Sequence, residues 1–305
     1  MSKTVLEIKN LSKTFGKRKV IDDISLQVQE GEIYGFLGPN GSGKTTTIKM
    51  ILRMIENDSG EIFVNGYNTK KDFEKAMENI GAIVENPDLY RYMTGRENLK
   101  LHARIRNVDN ARIEEVLELV DLKERANEKV GKYSLGMKQR LGLALTLLHK
   151  PKVLILDEPT NGLDPAGIKK LRDILKEISH KEGVAVFVSS HILSEMQLMC
   201  DKVSVLDKGK IVTTQNIVNI EEEKTETVEI KVKDIAKALQ ILKEQFEVDA
   251  IVKNNVITVE TLTEKIPSII KELAINDVEI KAVMPKEHTI EEIFFDATKG
   301  GKENE

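Results

Sequence analysis

Tryptophan is absent from this 305-residue chain, and eight Phe and five Tyr are all the aromatic rings it has. Platforms for stacking nucleic-acid bases are therefore scarce. There is a single cysteine, Cys200, so no internal disulfide can form, which fits a reducing compartment. Long apolar runs are also missing. The longest stretch without a formally charged side chain is Gly183–Ser194, twelve residues that include serines and a histidine. A bilayer span needs about 20 apolar residues, so the chain is not expected to cross a membrane by itself. The N-terminal Met1–Ile8 segment has no apolar core of the kind that directs secretion. A basic excess is lacking too. The net charge is −4, with residues 1–220 at +4 and residues 221–305 at −8. Neither part carries the electrostatic footprint of a nucleic-acid-binding protein, and no nucleic-acid partner is expected.

What the chain does have is 40% hydrophobic and 31% charged residues, a balance that supports a folded core. Its length suits one large or two unequal domains. Alternating segments at Val5–Ile8, Ile24–Val28 and Ile33–Leu37 read as strands, and Ile62–Val64 followed by Asn65-Gly66 reads as a hairpin. Apolar residues at helical spacing mark Arg112–Leu122, and Leu141–Leu148 is a compact apolar helix. Val153–Leu156 and Val184–Val188 are uninterrupted apolar runs, the pattern of parallel strands buried on both faces. Helices between such strands imply a doubly covered α/β sheet. Near residue 220 the composition shifts to Glu221-Glu222-Glu223-Lys224, a charged connector. Beyond it, a strand at Thr227–Val232, a helix at Ile235–Gln245, strands at Val248–Val252 and Val256–Val259, a helix at Lys265–Leu273 and a strand at Val278–Ala282 give a β-α-β-β-α-β order, the ferredoxin-like pattern. The expected organisation is residues 1–220 and 221–298 as two domains. An amphipathic piece, Thr289–Phe295, lies near the end of the second, and 299–305 is a polar tail expected to be disordered.

The chemistry concentrates in the first part. Gly38-Pro39-Asn40-Gly41-Ser42-Gly43-Lys44-Thr45, followed by Thr46, matches the phosphate-loop pattern, with a buried strand before it and a helix from Lys44 after it. Glycines let backbone N–H groups turn inward around phosphate oxygens, and the helix N-terminus adds partial positive charge. Lys44 supplies a full charge for the β/γ-phosphates, and the Thr45 hydroxyl can ligate magnesium. The acidic pair Asp157-Glu158 ends the Val153–Leu156 run, at the edge of such sheets where ligands bind. Asp157 can hold magnesium through water, and Glu158 can orient and deprotonate an attacking water. The other reading of the pair is an ordinary acidic turn at a strand end.

Three further segments complete the set: Tyr133-Ser134-Leu135-Gly136-Met137-Lys138-Gln139-Arg140, then Asn161-Gly162-Leu163-Asp164-Pro165, then Ser189-Ser190-His191. In this order the motifs resemble the ATP-binding subunit of an ABC transporter over about residues 4–220. The resemblance implies a P-loop NTPase fold with an antiparallel β subdomain and a helical subdomain, an ATPase activity, and ATP with Mg2+ as ligands. It implies that Phe15 stacks on adenine, although a core Phe in an edge turn is the alternative. It implies that Ser134 and Gly136 serve the ATP held by a second copy, that Asp164 belongs to that nucleotide-driven homodimer interface, and that His191 reaches the γ-phosphate. Leu135 and Met137 depart from the Gly and Gln usual in the family signature.

Glu85 is the other departure, standing where the family carries a Gln that touches metal and water. As a catalytic and metal-contacting residue it would add a carboxylate to the site. As a solvent-facing loop residue it would add nothing there. Together with the Tyr133–Arg140 signature it makes the chain resemble the bacitracin-resistance and lantibiotic-immunity subgroup, which exports or clears membrane-active peptides. By the same resemblance Asn86–Leu99 is expected to receive separately encoded transmembrane permease subunits, with the protein held at the cytoplasmic face of the membrane. Other family readings are another cargo, a soluble ATPase acting on DNA or ribosomes, or a regulator that binds ATP without hydrolysing it. The Lys17-Arg18-Lys19 run reads as a solvated turn and Cys200 as a buried thiol. The second domain, with the isolated His288, reads as a regulatory or dimer-stabilising appendage.

Overall fold

The N-terminal alternation extends further than its apolar centres suggest. In the computed structural model, β1 (Thr4–Phe15) and β2 (Arg18–Gln29) are paired antiparallel, with register shifts that let two long strands stay in contact while twisting. β1 also pairs with β4 (Ser59–Val64), and the Asn65-Gly66 turn leads into β5 (Tyr67–Asn68), giving a sheet in the order β2-β1-β4-β5. The structure describes residues 3–85, 87–217, 225–246, 248, 250–253, 256–262 and 265–285, which fall into two units with the break after Ile217.

The second sheet of the first unit carries the site. It consists of β3 (Ile33–Leu37), β6 (Ile80–Ile83), β7 (Val153–Asp157), β8 (Ala185–Ser190), β9 (Lys202–Asp207) and β10 (Lys210–Asn216), in the order β10-β9-β3-β8-β7-β6. All pairings are parallel except that of the edge strand β10. Every residue of β3, β7 and β8 is buried, as their continuous apolar runs require. At the centre the Phe187 ring lies 5.9 Å from that of Tyr34 and 5.3 Å from that of Phe36.

Around the sheets run α1 (Lys44–Ile51), α2 (Phe73–Glu78), α3 (Gly95–Ile105), α4 (Asn110–Leu119), α5 (Leu135–Leu147), α6 (Pro165–His180) and α7 (Leu193–Met199), with a 3-10 turn at Val130–Lys132. Two of them begin earlier than their apolar periodicity indicates, because a side-chain cap decides the start. Asp109 accepts from the Ala111 amide and opens α4. Ser134 accepts from the Met137 amide and opens α5, so the signature residues form its first turn. Cys200 is buried beside Met196. Burial, reinforced by the neighbouring Asp201 carboxylate, pushes its thiol pKa well up, which keeps it protonated and unreactive.

The second unit runs β11 (Thr225–Val232), α8 (Ile235–Phe246), β12 (Ala250–Lys253), β13 (Val256–Leu262), α9 (Ile266–Ile275) and β14 (Ile280–Pro285). Its sheet order is β12-β13-β11-β14 with antiparallel neighbours throughout, the arrangement two split βαβ units produce. Ile230, Leu242, Ile257, Val259 and Leu273 form its core. The connector Glu221–Lys224, the segment Thr289–Phe295, His288, the tail 299–305 and the expected boundary at residue 220 lie outside the described residues. Among the described residues no helix is long and apolar enough to cross a membrane.

Candidate active site

The phosphate loop leaves β3 at Leu37 and enters α1 at Lys44. Gly43 has φ of 115°, and a Cβ there would stand 2.4 Å from Ile21 Cδ1, so backbone conformation and space both demand glycine. At Gly38 a Cβ would lie 2.4 Å from the Leu206 carbonyl oxygen. Lys44, at the start of α1, is buried. Its Nζ donates to the carbonyls of Gly38 (2.7 Å) and Pro39 (3.3 Å) and pairs with Glu158 Oε1 at 3.2 Å.

The acidic pair sits at the end of β7, and both carboxylates are fully engaged. Asp157 Oδ2 accepts from the Thr45 hydroxyl at 2.8 Å, and Oδ1 accepts from the Ser189 hydroxyl at 2.6 Å. Ser189 Oγ in turn accepts from the Glu158 amide at 3.0 Å. Glu158 has φ of 49°, a left-handed conformation that costs about 1–2 kcal/mol in an L-residue. The amide bond to Ser189 helps hold it there. The Glu158 side chain divides its oxygens between two cations or donors, Lys44 at Oε1 and His191 Nδ1 at Oε2, 2.8 Å away. The carboxylate can only accept, so the proton of this bond is on His191 Nδ1.

A cavity of about 380 Å³ is lined by Asn40, Gly41, Gly43, Lys44, Thr45 and Thr46 of the loop and helix, Glu158, Asn161 and His191, and Arg18 and Val20 of β2. Pro39 and Ser42 line an adjoining cavity of about 300 Å³, with Lys208 and again Arg18. The Ser42 hydroxyl is buried and without a partner among the described residues. The donor set fits magnesium. Thr45 Oγ1 and Asp157 Oδ2 are hard oxygens 2.8 Å apart, close to the roughly 2.9 Å edge of an octahedron with bonds of about 2.0–2.1 Å.

Other expected site residues stand elsewhere. Phe15 is 49% exposed at the end of β1, with the Lys13 ammonium 5.3 Å from its ring centre, and it does not line the cavity. Ser134 caps α5 and Asp164 caps α6 through the Gly167 amide, while a Cβ on Gly136 would stand 3.8 Å from Leu163. None of these three borders the cavity of its own chain. Glu85 adopts φ of 66°, is exposed, and pairs with Lys49 at 3.9 Å; no hydrogen bond among the described residues joins it to Thr45, Asp157 or Glu158. Two residues to which the sequence reading gave no role in the site belong to it. Arg18 is exposed, as a solvated turn requires, and it also opens β2 on the cavity wall. Ser189 bridges the acidic pair, and the signal available for it was a hydroxyl ending an otherwise apolar buried run.

Comparison with known proteins agrees with this geometry. Residues 21–161 match the family described as ABC transporter. The chain is 45% identical, over 99% of its length and 98% of the other, to an uncharacterized ABC transporter ATP-binding protein, YhcH, of Bacillus subtilis (strain 168). It is 37% identical to the bacitracin transport ATP-binding protein BcrA of Bacillus licheniformis, over 98% of each chain. Identity to the lantibiotic transport ATP-binding protein SrtF of Streptococcus pyogenes is 39%, over 68% of this chain and 89% of that one. A solved structure of the ATP-binding subunit of an ABC transporter superposes with a TM-score of 0.62 at 32% identity, covering 70% of this chain and 90% of its own. The chain belongs to the ABC transporter ATP-binding proteins, and it is an ATPase of that class.

Proposed function

We propose that this protein is the ATP-hydrolysing subunit of an exporter that removes antimicrobial peptides of the bacitracin or lantibiotic type. It would work as a nucleotide-driven homodimer on separately encoded permease subunits, at the cytoplasmic face of the membrane. The observation that carries the catalytic part is the convergence of Lys44, Thr45, Glu158 and His191 on one cavity, with Asp157 hydrogen-bonded to Thr45 behind it. The cargo rests on similarity to the bacitracin and lantibiotic transport proteins.

Each residue has a defined task in this reading. Backbone amides of residues 38–45 and the start of α1 receive the phosphates, and Lys44 exchanges its bond to Glu158 for one to the γ-phosphate. Thr45 and Asp157 would hold Mg2+, which when bound offsets the negative charge of the β- and γ-phosphates. Glu158 accepts a proton from water as the water oxygen attacks phosphorus. The bond to the bridging oxygen breaks, releasing ADP and inorganic phosphate. His191 donates to the γ-phosphate oxygens. Ser134, Gly136 and Asp164 would complete the site of the second copy, and Phe15 would stack on adenine. Glu85 would enter the metal site only after leaving Lys49. Residues 221–298 are assigned as an accessory domain and 299–305 as a tail.

The proposed permease-receiving surface has a rigid base. Tyr90 and Tyr92 are exposed and meet edge to face, with ring centres 5.9 Å apart. Beneath them Asn98 is fully buried. Its Nδ2 donates to the carbonyls of Tyr90 (3.1 Å) and Thr94 (2.9 Å), and its Oδ1 accepts from the Tyr90 amide at 2.9 Å. Asn98→Ala is expected to lower stability by about 1–3 kcal/mol by stranding these backbone groups; an unchanged denaturant midpoint would contradict it. The function itself is tested by deleting the gene. Sensitivity to bacitracin or to a lantibiotic should rise and return to the wild-type level on complementation with the wild-type gene, but not with Glu158→Gln. Unaltered sensitivity to both peptide classes would remove the cargo assignment.

A further inference from the structure

We propose that Ser189 is a positioning residue of the ATPase reaction, whose single hydroxyl sets the orientation of Asp157 and the backbone of Glu158 together. The proposal deepens the functional reading above and rests on its roles for Asp157 and Glu158.

Strand register brings the two residues together. β7 and β8 run parallel, and Asp157 is paired directly with Ser189. Paired residues of neighbouring strands project their side chains to the same face, so a short hydroxyl on one reaches a short carboxylate on the other. Both side chains are buried, Ser189 completely. A hydroxyl has one proton to give. Here it goes to Asp157 Oδ1 at 2.6 Å, which leaves the Ser189 lone pairs to accept the Glu158 amide at 3.0 Å. The polarity of the chain is therefore fixed: Glu158 N–H to Ser189 O–H to Asp157 carboxylate.

Two consequences follow for the acidic pair. With Oδ1 tied to β8, Asp157 turns Oδ2 toward Thr45, the oxygen pair whose 2.8 Å spacing suits an octahedral cation. With its amide tied to the same oxygen, Glu158 is held at φ of 49°, the conformation from which its carboxylate meets Lys44 and His191. One side chain thus acts on a metal ligand and on the proposed base, touching neither the metal nor the water itself. An alanine at position 189 would leave a partly buried amide and a buried carboxylate oxygen each short of a partner.

The test uses the full chain with Mg-ATP and compares Ser189→Ala, Ser189→Thr and Ser189→Val by steady-state phosphate release. Mn2+ binding in the presence of a non-hydrolysable ATP analogue is followed by electron paramagnetic resonance. Loss of a hydrogen-bonding partner behind a metal ligand typically costs about 10–100-fold in affinity or activity. Ser189→Ala and Ser189→Val should lose about that much kcat and Mn2+ affinity, with KM for ATP changed by less than about threefold. Ser189→Thr, which keeps the hydroxyl, should recover most of both. The melting temperature of each variant without metal separates strand damage from loss of positioning. If Val disturbs β8, the Ala and Thr variants decide. A folded Ser189→Ala with wild-type kcat and Mn2+ affinity would overturn the proposal, as would a folded Ser189→Thr no better than Ala. Glu158→Gln serves as the control. If it still turns over like wild type, the roles assigned to the acidic pair fail. If it is inactive while Ser189→Ala is normal, only the Ser189 proposal fails.

Discussion

Glu158→Gln should reduce steady-state phosphate release by about 10²–10⁴-fold, the contribution a positioned general base makes. The exchange keeps shape and volume but removes the carboxylate that faces the cavity and can take a proton while hydrogen-bonded to His191. ATP affinity should persist or rise. In this structure Glu158 Oε1 is the anionic partner of Lys44 at 3.2 Å, and an incoming phosphate has to displace it. A neutral amide competes less. The variant should therefore bind Mg-ATP with a Kd equal to or below that of wild type and accumulate as a dimer by light scattering. A variant with near-normal turnover would contradict the base assignment. One that remains monomeric with saturating Mg-ATP would contradict the shared-nucleotide arrangement.

Phe187→Ala should produce the largest loss of stability, about 3–5 kcal/mol. The ring is fully buried in β8 between Tyr34 and Phe36, with parallel strands on both sides, so the surroundings have little freedom to close the cavity. For a unit of about this size each kcal/mol moves the melting temperature by roughly 2–4 °C, so calorimetry should record a fall of about 6–20 °C. A shift below about 3 °C would mean that the core repacks around the missing ring. The same strand ends at Ser189 and Ser190, so structural damage here should also depress turnover, unlike the Ser189 variants, whose melting should change far less.

The parts of the site that were legible in sequence are those in which chain order itself imposes geometry. A buried strand, a glycine-rich loop and a helix beginning at Lys44 permit one local arrangement, and an acidic pair ending an apolar run has one edge of the sheet to occupy. What escaped was set by pairing between distant segments. Ser189 and Asp157 meet because two strands 32 residues apart align in register, and no local pattern reports that. The start of α5 was obscured for a different reason. Lys138-Gln139-Arg140 interrupts the apolar periodicity, yet Gln139 is buried with its amide on the Pro159 carbonyl, and Arg140 donates to the carbonyls of Val120 and Asp121. Polar side chains that satisfy backbone carbonyls can sit inside a fold while reading as surface. Arg18 is exposed, as a charged turn beside Gly16 reads, and no local pattern reports that the β1–β2 hairpin also sets it beside the phosphate loop. In the second unit the element order was visible because each strand and helix is short, strongly apolar on one face and separated by polar residues.

The Asn98 clamp has a mechanical consequence. The loop from Tyr90 to Thr94 is tied to the first turn of α3 by one side chain and by the Thr94–Glu97 capping box, and to the 3-10 turn by the Val130 and Gly131 amides on the carbonyls of Met93 and Arg91. Those bonds give a load on the exposed tyrosines a direct route into the first turn of α3, alongside the chain itself.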